Sequence, residues 1–274
     1  DANVATVTIS ATSGAATFTG LALTYTNDAS ASTLALHAAS GSLTAATSTT
    51  ITSTTNSSPV VTTSGGSASF TEGGTPVVID AGLTLSDLED DTLTGATVSI
   101  TANYQSGQDL LNFTPNAGTM GNIAVASNAG GVLTLTSDGN SATLAQWQAA
   151  LRAVTFSNTS EAPGSNVRTV SFVVSDSYSN SLPGTRSVSI VPVNDAPTFT
   201  KGADQEVLED AGAQSVSGWA TAISAGPSDE SDQTVTFQIT GNTNPGLFSV
   251  APAISATGTL TYTPVANANG EATL

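Results

Sequence analysis

The chain contains no cysteine among its 274 residues, which excludes both a disulfide framework and a thiolate metal site. Basic residues are almost as scarce: four stand against 21 acidic residues, and the formal net charge is -17 at pH 7. Four basic side chains cannot form the positively charged surface that nucleic acids or anionic membranes require. This charge balance favours cations and water as partners instead. The four basic residues are Arg152, Arg168, Arg186 and Lys201.

Charged residues of either sign and aromatic residues are also few, at 9% and 5% of the chain. Because 39% of the residues are hydrophobic, a packed core is possible and charge-driven disorder is disfavoured. Ser, Thr, Ala and Gly make up much of the remainder, a composition typical of short strands joined by turns. No hydrophobic run is long enough for a transmembrane helix, and no signal peptide opens the sequence. We expect the chain to be an excerpt from a longer polypeptide.

Alternation of apolar and polar residues is the main pattern in the sequence. A period of two predicts half-buried β-strands, and the intervening Gly, Asn, Asp and Pro residues predict turns. Many short strands of this kind favour antiparallel β-sandwiches and an all-β fold. The clearest alternating sets are Val7/Ile9, Leu34/Leu36, Val98/Ile100, Leu133/Leu135, Val170/Phe172/Val174, Val188/Ile190 and Val235/Phe237/Ile239.

One segment has helical periodicity. Thr143 and Gln146 form a capping-box pattern, and Leu144, Trp147 and Leu151 follow on one face. This pattern predicts one short helix over residues 143–154 that packs on a sandwich through Trp147.

An internal repeat divides the chain into three parts. The correspondences predict domain boundaries near residues 57 and 195. Residues 1–56 are then the closing part of one repeat, residues 57–194 a complete β-sandwich, and residues 195–274 the opening part of another. The matching pairs are Asn56–Pro59 with Asn194–Pro197, Glu72 with Glu209, Leu111–Phe113 with Gly246–Phe248, and Gly131–Thr136 with Gly258–Thr263.

Acidic residues gather in loops next to predicted strands. Asp87, Glu89 and Asp91 stand at alternate positions of one loop, so in an extended conformation their carboxylates converge on one side. Carboxylates held close together repel each other unless a cation lies between them, and Ca²⁺ prefers such oxygen ligands. The alternative is a solvated acidic turn that holds no ion.

These features resemble the cadherin-like repeats of large bacterial surface adhesins, many of which leave the cell by type I secretion. The resemblance rests on Asn194-Asp-Ala-Pro197 after a predicted strand, a glutamate 12 residues later, an acidic loop, and a helix-plus-strand insert over residues 142–156. It covers residues 57–274. Residues 1–56 are similar instead to the closing half of a bacterial immunoglobulin-like repeat, through Ala16–Leu23, Ser32–Leu36 and Ala45–Ser48.

The resemblance implies calcium ions between successive domains. Carried over to this sequence, the connection near residue 57 would use Asp87, Glu89, Asp91 and Asp176. The connection near residue 195 would use Glu72, Asp109, Asn194, Asp195, Asp229, Glu230 and Asp232. Ser57-Ser58 stand where the second connection has Asp195-Ala196, so we expect the second connection to hold the more complete site.

The expected function is structural. A calcium-stiffened repeat segment would serve bacterial cell-surface adhesion or matrix and biofilm scaffolding outside the cell, with neighbouring repeats and calcium as partners. One alternative is a module that binds a cell-surface glycan or protein. Another is a filament or surface-layer subunit that assembles through edge strands. Enzyme activity is not expected, because the acidic residues lie at linkers and loop ends without an accompanying base or nucleophile.

Overall fold

The computed structural model describes residues 56–274 continuously and, before them, only the backbone of four short strands. The chain divides into two compact units, residues 1–56 and 57–274. In the first unit, β1 pairs antiparallel with β4, and β2 pairs antiparallel with β3. The remaining predictions for residues 1–56, including the strand with Val7 and Ile9, lie outside the described residues. These four strands are β1 (Ser32–Leu34), β2 (His37–Ala38), β3 (Ala46–Thr47) and β4 (Ile51–Ser53).

The second unit is built mainly from β-strands, as predicted. Up to residue 194 it contains eleven strands and two α-helices. The closer prediction of tandem immunoglobulin-like sandwiches stays a prediction, as does the boundary at residue 195, which lies within this unit. The elements are β5 (Val60–Thr62), β6 (Ser67–Thr71), β7 (Val77–Val78), β8 (Thr84–Ser86), β9 (Gly95–Ala102), β10 (Asp109–Asn112), α1 (Ala117–Met120), β11 (Ile123–Ala129), β12 (Val132–Ser137), α2 (Leu144–Arg152), β13 (Thr155–Asn158), β14 (Arg168–Ser175) and β15 (Gly184–Val191).

The largest sheet has six strands in the order β11-β12-β9-β14-β15-β6. Its neighbours pair antiparallel except β15 and β6, which run parallel. A three-stranded sheet has the order β10-β13-β7, and β5 pairs with β8. The predicted alternation is confirmed in β9, β12, β14 and β15, where every second side chain is buried along most of the strand.

In the hydrophobic core of residues 57–194, the six-stranded sheet and the three-stranded sheet pack against α2. Phe70 of the large sheet meets Phe156 of the small sheet edge-to-face, with ring centroids 5.6 Å apart. Such aromatic pairs add to the free energy gained from burial. The largest fully buried side chain is Trp147 of α2.

The predicted helix is confirmed. It runs from Leu144 to Arg152, and its capping box is complete: the Thr143 hydroxyl accepts from the Gln146 N–H, and the Gln146 side chain accepts from the Thr143 N–H. The indole N–H of Trp147 donates to the Leu93 carbonyl at 3.1 Å. This bond satisfies the only polar group of a fully buried side chain. Among the described residues, no helix combines the length and apolar character needed to cross a membrane.

Residues 195–274 form two smaller sheets, with the orders β17-β20-β19 and β16-β18. Only Ala220, Leu260 and Tyr262 are buried hydrophobic residues in this part. The strand predicted around Val235, Phe237 and Ile239 does not form. In the described part of the chain, no strand pairs with residues 233–240. The strands here are β16 (Thr198–Thr200), β17 (Gln214–Val216), β18 (Thr221–Ser224), β19 (Phe248–Ile254) and β20 (Leu260–Pro264).

Candidate metal centres

One group of carboxylates lies where β8 and β14 end. Asp87, Asp90 and Asp176 each offer one oxygen, and these oxygens all lie within 4.8 Å of one another. Pairing between β9 and β14 places the acidic loop next to Asp176, since Gly95 stands opposite Ser175. We call Asp87, Asp90 and Asp176 the loop cluster.

The local turn decides which acids of the loop meet. Oδ1 of Asp87 accepts hydrogen bonds from the backbone N–H groups of Glu89 and Asp90, both at 3.1 Å. Aspartate commonly folds the following residues into a turn in this way. The loop is therefore not extended, and Asp90 rather than Glu89 or Asp91 comes to lie beside Asp87. The expectation that alternate acids converge is wrong for this reason.

The two predicted acids outside the cluster have other surroundings. Glu89 accepts hydrogen bonds from the N–H and hydroxyl of Ser57, at 3.1 and 3.2 Å. The side chain of Asp91 is exposed, and its backbone carbonyl accepts from the N–H of Leu144 at 2.9 Å. Of the predicted set, the structure brings together Asp87 and Asp176.

The electrostatics of the loop cluster oppose the ionisation of Asp90. Oδ2 of Asp87 and Oδ2 of Asp90 are buried and have no hydrogen-bond partner among the described residues. Loss of hydration raises the pKa of Asp90 above its usual range, and repulsion by Asp87, Asp176, Glu89 and Asp91 raises it further. Asp176 is held in place by hydrogen bonds from the N–H groups of Tyr178 and Ser179 to its Oδ1.

A second group lies at the connection near residue 195. Glu72, Glu161 and Asp195 each offer one oxygen, and these oxygens also lie within 4.8 Å of one another. The parallel pairing of β15 with β6 places Val191 opposite Thr71, so the residues that follow the two strands run side by side. Oε2 of Glu72 then accepts from the N–H of Val193 at 2.8 Å.

Glu230 joins this second group from the short 3₁₀ helix Ser228–Glu230. Its Oε1 accepts from the N–H of Asp195 at 3.3 Å. Glu72 is 6% exposed and Glu230 is 4% exposed, so both carboxyl groups have been removed from water. We call Glu72, Glu161, Asp195 and Glu230 the connection cluster.

Three oxygens of the connection cluster lack a hydrogen-bond partner in the described part of the chain: Oε1 of Glu72, Oδ2 of Asp195 and Oε2 of Glu230. Burial raises the pKa of Glu72; the Val193 N–H lowers it, and Asp229, Asp195 and Glu230 raise it again. The pKa of Glu230 is also raised, first by burial and then by Asp229 and Asp195, against the lowering effect of the Asp195 N–H. Glu72 and Glu230 are buried, Asp195 is half-buried and Glu161 is exposed, so the described site is a partly buried group of acceptors without a positively charged side chain.

Other predicted members of the second set lie differently. Asn194 accepts a hydrogen bond from Gln233 at 2.8 Å through Oδ1 and donates to the Asp195 carbonyl. Asp229 is exposed but acts electrostatically on Glu72 and Glu230. Asp232 is exposed.

Asp109 is not a member of either cluster. Its carboxylate forms a buried ion pair with Arg168, with Nε at 3.1 Å, and it accepts further bonds from Asn158 and from the N–H of Gln105. The remaining donors of Arg168 bind the carbonyls of Pro163, Gly164 and Asn166. Asp109 therefore compensates a buried arginine, and the structure does not bring it into the connection cluster.

Asp80 shows how this fold satisfies a buried carboxylate without a metal. Its oxygens accept from the N–H and hydroxyl of Ser64 and from the N–H of Gly82. Burial alone would raise the pKa of Asp80, but these bonds and the charge of Arg186 outweigh it and hold the pKa below its usual range. Five carboxylates of the two clusters, Glu72, Asp87, Asp90, Asp195 and Glu230, differ from Asp80 because each has one buried oxygen without a hydrogen-bond partner among the described residues.

Sequence reasoning missed Asp90 and Glu161 as candidate ligands, for two different reasons. Asp90 belongs to the predicted acidic loop but falls out of the alternating pattern. Glu161 is a single acid in the loop between β13 and β14, far along the chain from its neighbours in space. Both clusters fit Ca²⁺, because that ion takes several carboxylate and carbonyl oxygens at once in flexible geometry.

Comparison with known proteins adds no assignment. No protein-family model matches the chain, and no curated protein matches it either.

Proposed function

We propose that this chain is a structural repeat segment of a large extracellular bacterial surface protein, in which calcium fixes the connection between successive β-domains. One observation carries the proposal. At the predicted connection between residues 57–194 and 195–274, buried oxygens of Glu72, Asp195 and Glu230 have no hydrogen-bond partner among the described residues, and Glu72 and Asp195 each place an oxygen within 4.8 Å of the other.

The energetics favour a cation at this place. Two unit charges 4.8 Å apart repel each other by on the order of 3 kcal/mol at an effective dielectric constant of about 20. Glu72 and Asp195 are such a pair: Glu72 is 6% exposed, and Oδ2 of Asp195 is buried without a hydrogen-bond partner among the described residues. A divalent ion replaces the lost water ligands and reverses the sign of the interaction, and no positively charged side chain provides this compensation in the described site.

Stiffening follows from where the ligands lie in the sequence. Glu72 follows β6, Asp195 follows β15 in the connecting segment, and Glu230 belongs to residues 195–274. An ion bound to all three would cross-link the connecting segment to the elements on both sides of it. A chain of such connections behaves as a rod, which suits a protein that projects an adhesive element or scaffolds a matrix.

Calcium binding to the folded chain raises its stability by mass action. At a free calcium concentration 100 times the dissociation constant, the gain is about 2.7 kcal/mol for one site. We therefore expect the melting temperature of the full chain to rise when calcium replaces a chelator. Magnesium should be less effective, since it demands a stricter octahedral geometry.

The test compares two substitutions of the same type. Glu72→Gln keeps an acceptor for the Val193 N–H but removes one ligand charge, so the calcium-induced rise in melting temperature should shrink. Glu209→Gln, at the matching position of the next repeat, is the control because Glu209 is exposed. The proposal fails if calcium leaves the melting temperature of the wild-type chain unchanged, or if both variants respond to calcium as the wild type does.

A further inference from the structure

A small pocket lies where the β11–β12 hairpin meets β10 and the loop after β9. Its volume is about 140 Å³, and its lining includes Tyr104, Asn112, Asn128 and Gly131. None of its lining residues belongs to the loop cluster or the connection cluster. The pocket is therefore separate from the candidate metal centres.

Glycine at the tip of the β11–β12 hairpin gives the pocket its shape. Ala129 pairs with Val132, so Gly130 and Gly131 form a two-residue turn, and both have positive φ, 61° and 76°. Positive φ at both positions is the geometry of a type I′ turn. A Cβ atom on Gly131 would lie 2.8 Å from Cε2 of Tyr104, so a glycine is needed for this ring to lie against the turn.

The volume of the pocket is that of one six-membered ring. A cavity of about 150 Å³ with an aliphatic and aromatic lining admits benzene, whereas drug-sized ligands need roughly 300–1,000 Å³. Here two amide side chains, Asn112 and Asn128, belong to the lining together with the half-buried Tyr104. An apolar ring would remove these polar groups from water without giving them partners. The ring that fits must therefore carry polar groups at its edge.

Both amide side chains keep an unused acceptor. Nδ2 of Asn112 donates to Oγ of Ser157 at 3.0 Å, and Nδ2 of Asn128 donates to the Leu111 carbonyl at 2.7 Å. In the described part of the chain, no group donates a hydrogen bond to Oδ1 of either asparagine. Each amide is held in place by its own donor and offers an acceptor for a hydroxyl group.

The electrostatics of the pocket favour a neutral ligand. Asp109 belongs to the lining, but its carboxylate is compensated by the buried ion pair with Arg168. None of residues 110–137 is charged. An anionic ligand would be repelled by the net charge of -17 on the whole chain, and a cation would find no uncompensated charge in the pocket.

We propose that this pocket binds one neutral hexose ring, presented as a terminal sugar of a glycan. Hydroxyl groups of the sugar donate to Oδ1 of Asn112 and of Asn128. The C–H face of the ring contacts Tyr104 and Leu110, which is 42% exposed. A sugar combines such an apolar face with a rim of hydroxyl groups, which matches the mixed lining. This binding does not depend on calcium.

The test titrates the isotopically labelled full chain with the methyl glycosides of glucose, galactose, mannose and N-acetylglucosamine, followed by amide chemical shifts. We expect at least one of them to shift Asn128, Gly130 and Gly131 saturably, with a dissociation constant on the order of 1 mM for so small a ligand. Tyr104→Ala should weaken this binding at least tenfold. Tyr178→Ala is the control, because Tyr178 is 78% exposed and lies outside the pocket.

The acidic methyl glycoside of N-acetylneuraminic acid should bind at least tenfold more weakly than the best neutral sugar. The proposal is overturned if none of the four neutral glycosides causes saturable shifts, because the pocket then holds solvent only. Shifts that lie away from residues 128–131, or equal affinities of Tyr104→Ala and Tyr178→Ala, would also contradict it. The map of shifts on the wild-type chain decides the matter even if Tyr104→Ala does not fold.

Discussion

Removing the charge of Asp109 should destabilise the protein strongly, because Arg168 is fully buried beside it. Both side chains of this ion pair have no exposed surface. All five N–H donors of Arg168 are used, two of them on Asp109 and three on backbone carbonyls. In Asp109→Asn the guanidinium keeps its charge and most of its bonds but loses the compensating carboxylate.

The expected cost is large compared with an ordinary surface substitution. Breaking a buried ion pair by removing one partner costs about 3–5 kcal/mol, because an uncompensated charge stays in the interior. For a domain of this size, that loss lowers the melting temperature by roughly 6–20 °C. Urea unfolding followed by circular dichroism measures the change directly. Calcium affinity should stay unchanged, since Asp109 belongs to neither cluster.

Two matched variants make the result interpretable. Asp204→Asn removes the acid of the exposed pair with Lys201 and should leave the midpoint of unfolding unchanged. The double variant Asp109→Leu, Arg168→Met removes both charges, and its cost should be less than the sum of the two single substitutions. If Asp109→Asn and Asp204→Asn unfold at the same urea concentration, the buried pair of Asp109 and Arg168 does not stabilise the fold as stated.

Two further predictions concern the helix cap and the connection cluster. Thr143→Ala removes the side-chain acceptor of the capping box and should cost about 1 kcal/mol in urea unfolding, whereas an equal midpoint would show that the cap is dispensable. Burial and neighbouring carboxylates raise the pKa of Glu72 in the folded state. Its contribution to stability is therefore full below the unfolded pKa of about 4.3 and is lost as the pH rises through the folded pKa. In chelator, Glu72→Gln should remove this part of the pH dependence above about pH 4.3, and an unchanged profile would contradict the assignment.

Local patterns in the sequence predicted the helix and the faces of the longest strands within residues 57–194. The alternation in β9, β12, β14 and β15 records which side chains face the core, and the structure buries those side chains. The capping box at Thr143 was equally informative, because both of its hydrogen bonds lie within four residues.

Alternation alone could not predict strand pairing in residues 195–274. Val235, Phe237 and Ile239 alternate as clearly as the apolar residues of β9, and their side chains are half-buried at alternate positions. A strand also needs a neighbour for its backbone, and periodicity in one segment carries no information about whether that neighbour is present. The alternation therefore predicts correctly which side chains of residues 234–240 face inward. It does not predict whether their backbone groups form hydrogen bonds with a neighbouring strand.

The sequence predicted where the candidate sites lie along the chain, but not which residues form each cluster. Spacing identified the acidic loop but assumed an extended backbone, whereas Asp87 folds the loop and selects Asp90. The resemblance implied a metal-binding role for Asp109, and no local pattern indicates its ion pair with Arg168, which lies 59 residues further along the chain. Glu161 reaches the connection cluster through the tertiary fold alone.

Calcium binding by isothermal titration calorimetry tests the central claim most directly. With the full chain at neutral pH, we expect saturable uptake of at least two ions, one for each carboxylate cluster. Glu72→Gln should lose one of these ions, or bind it much more weakly, while Glu209→Gln should retain both. Absence of calcium binding, or the same uptake by the wild type and Glu72→Gln, would contradict a metal at the connection.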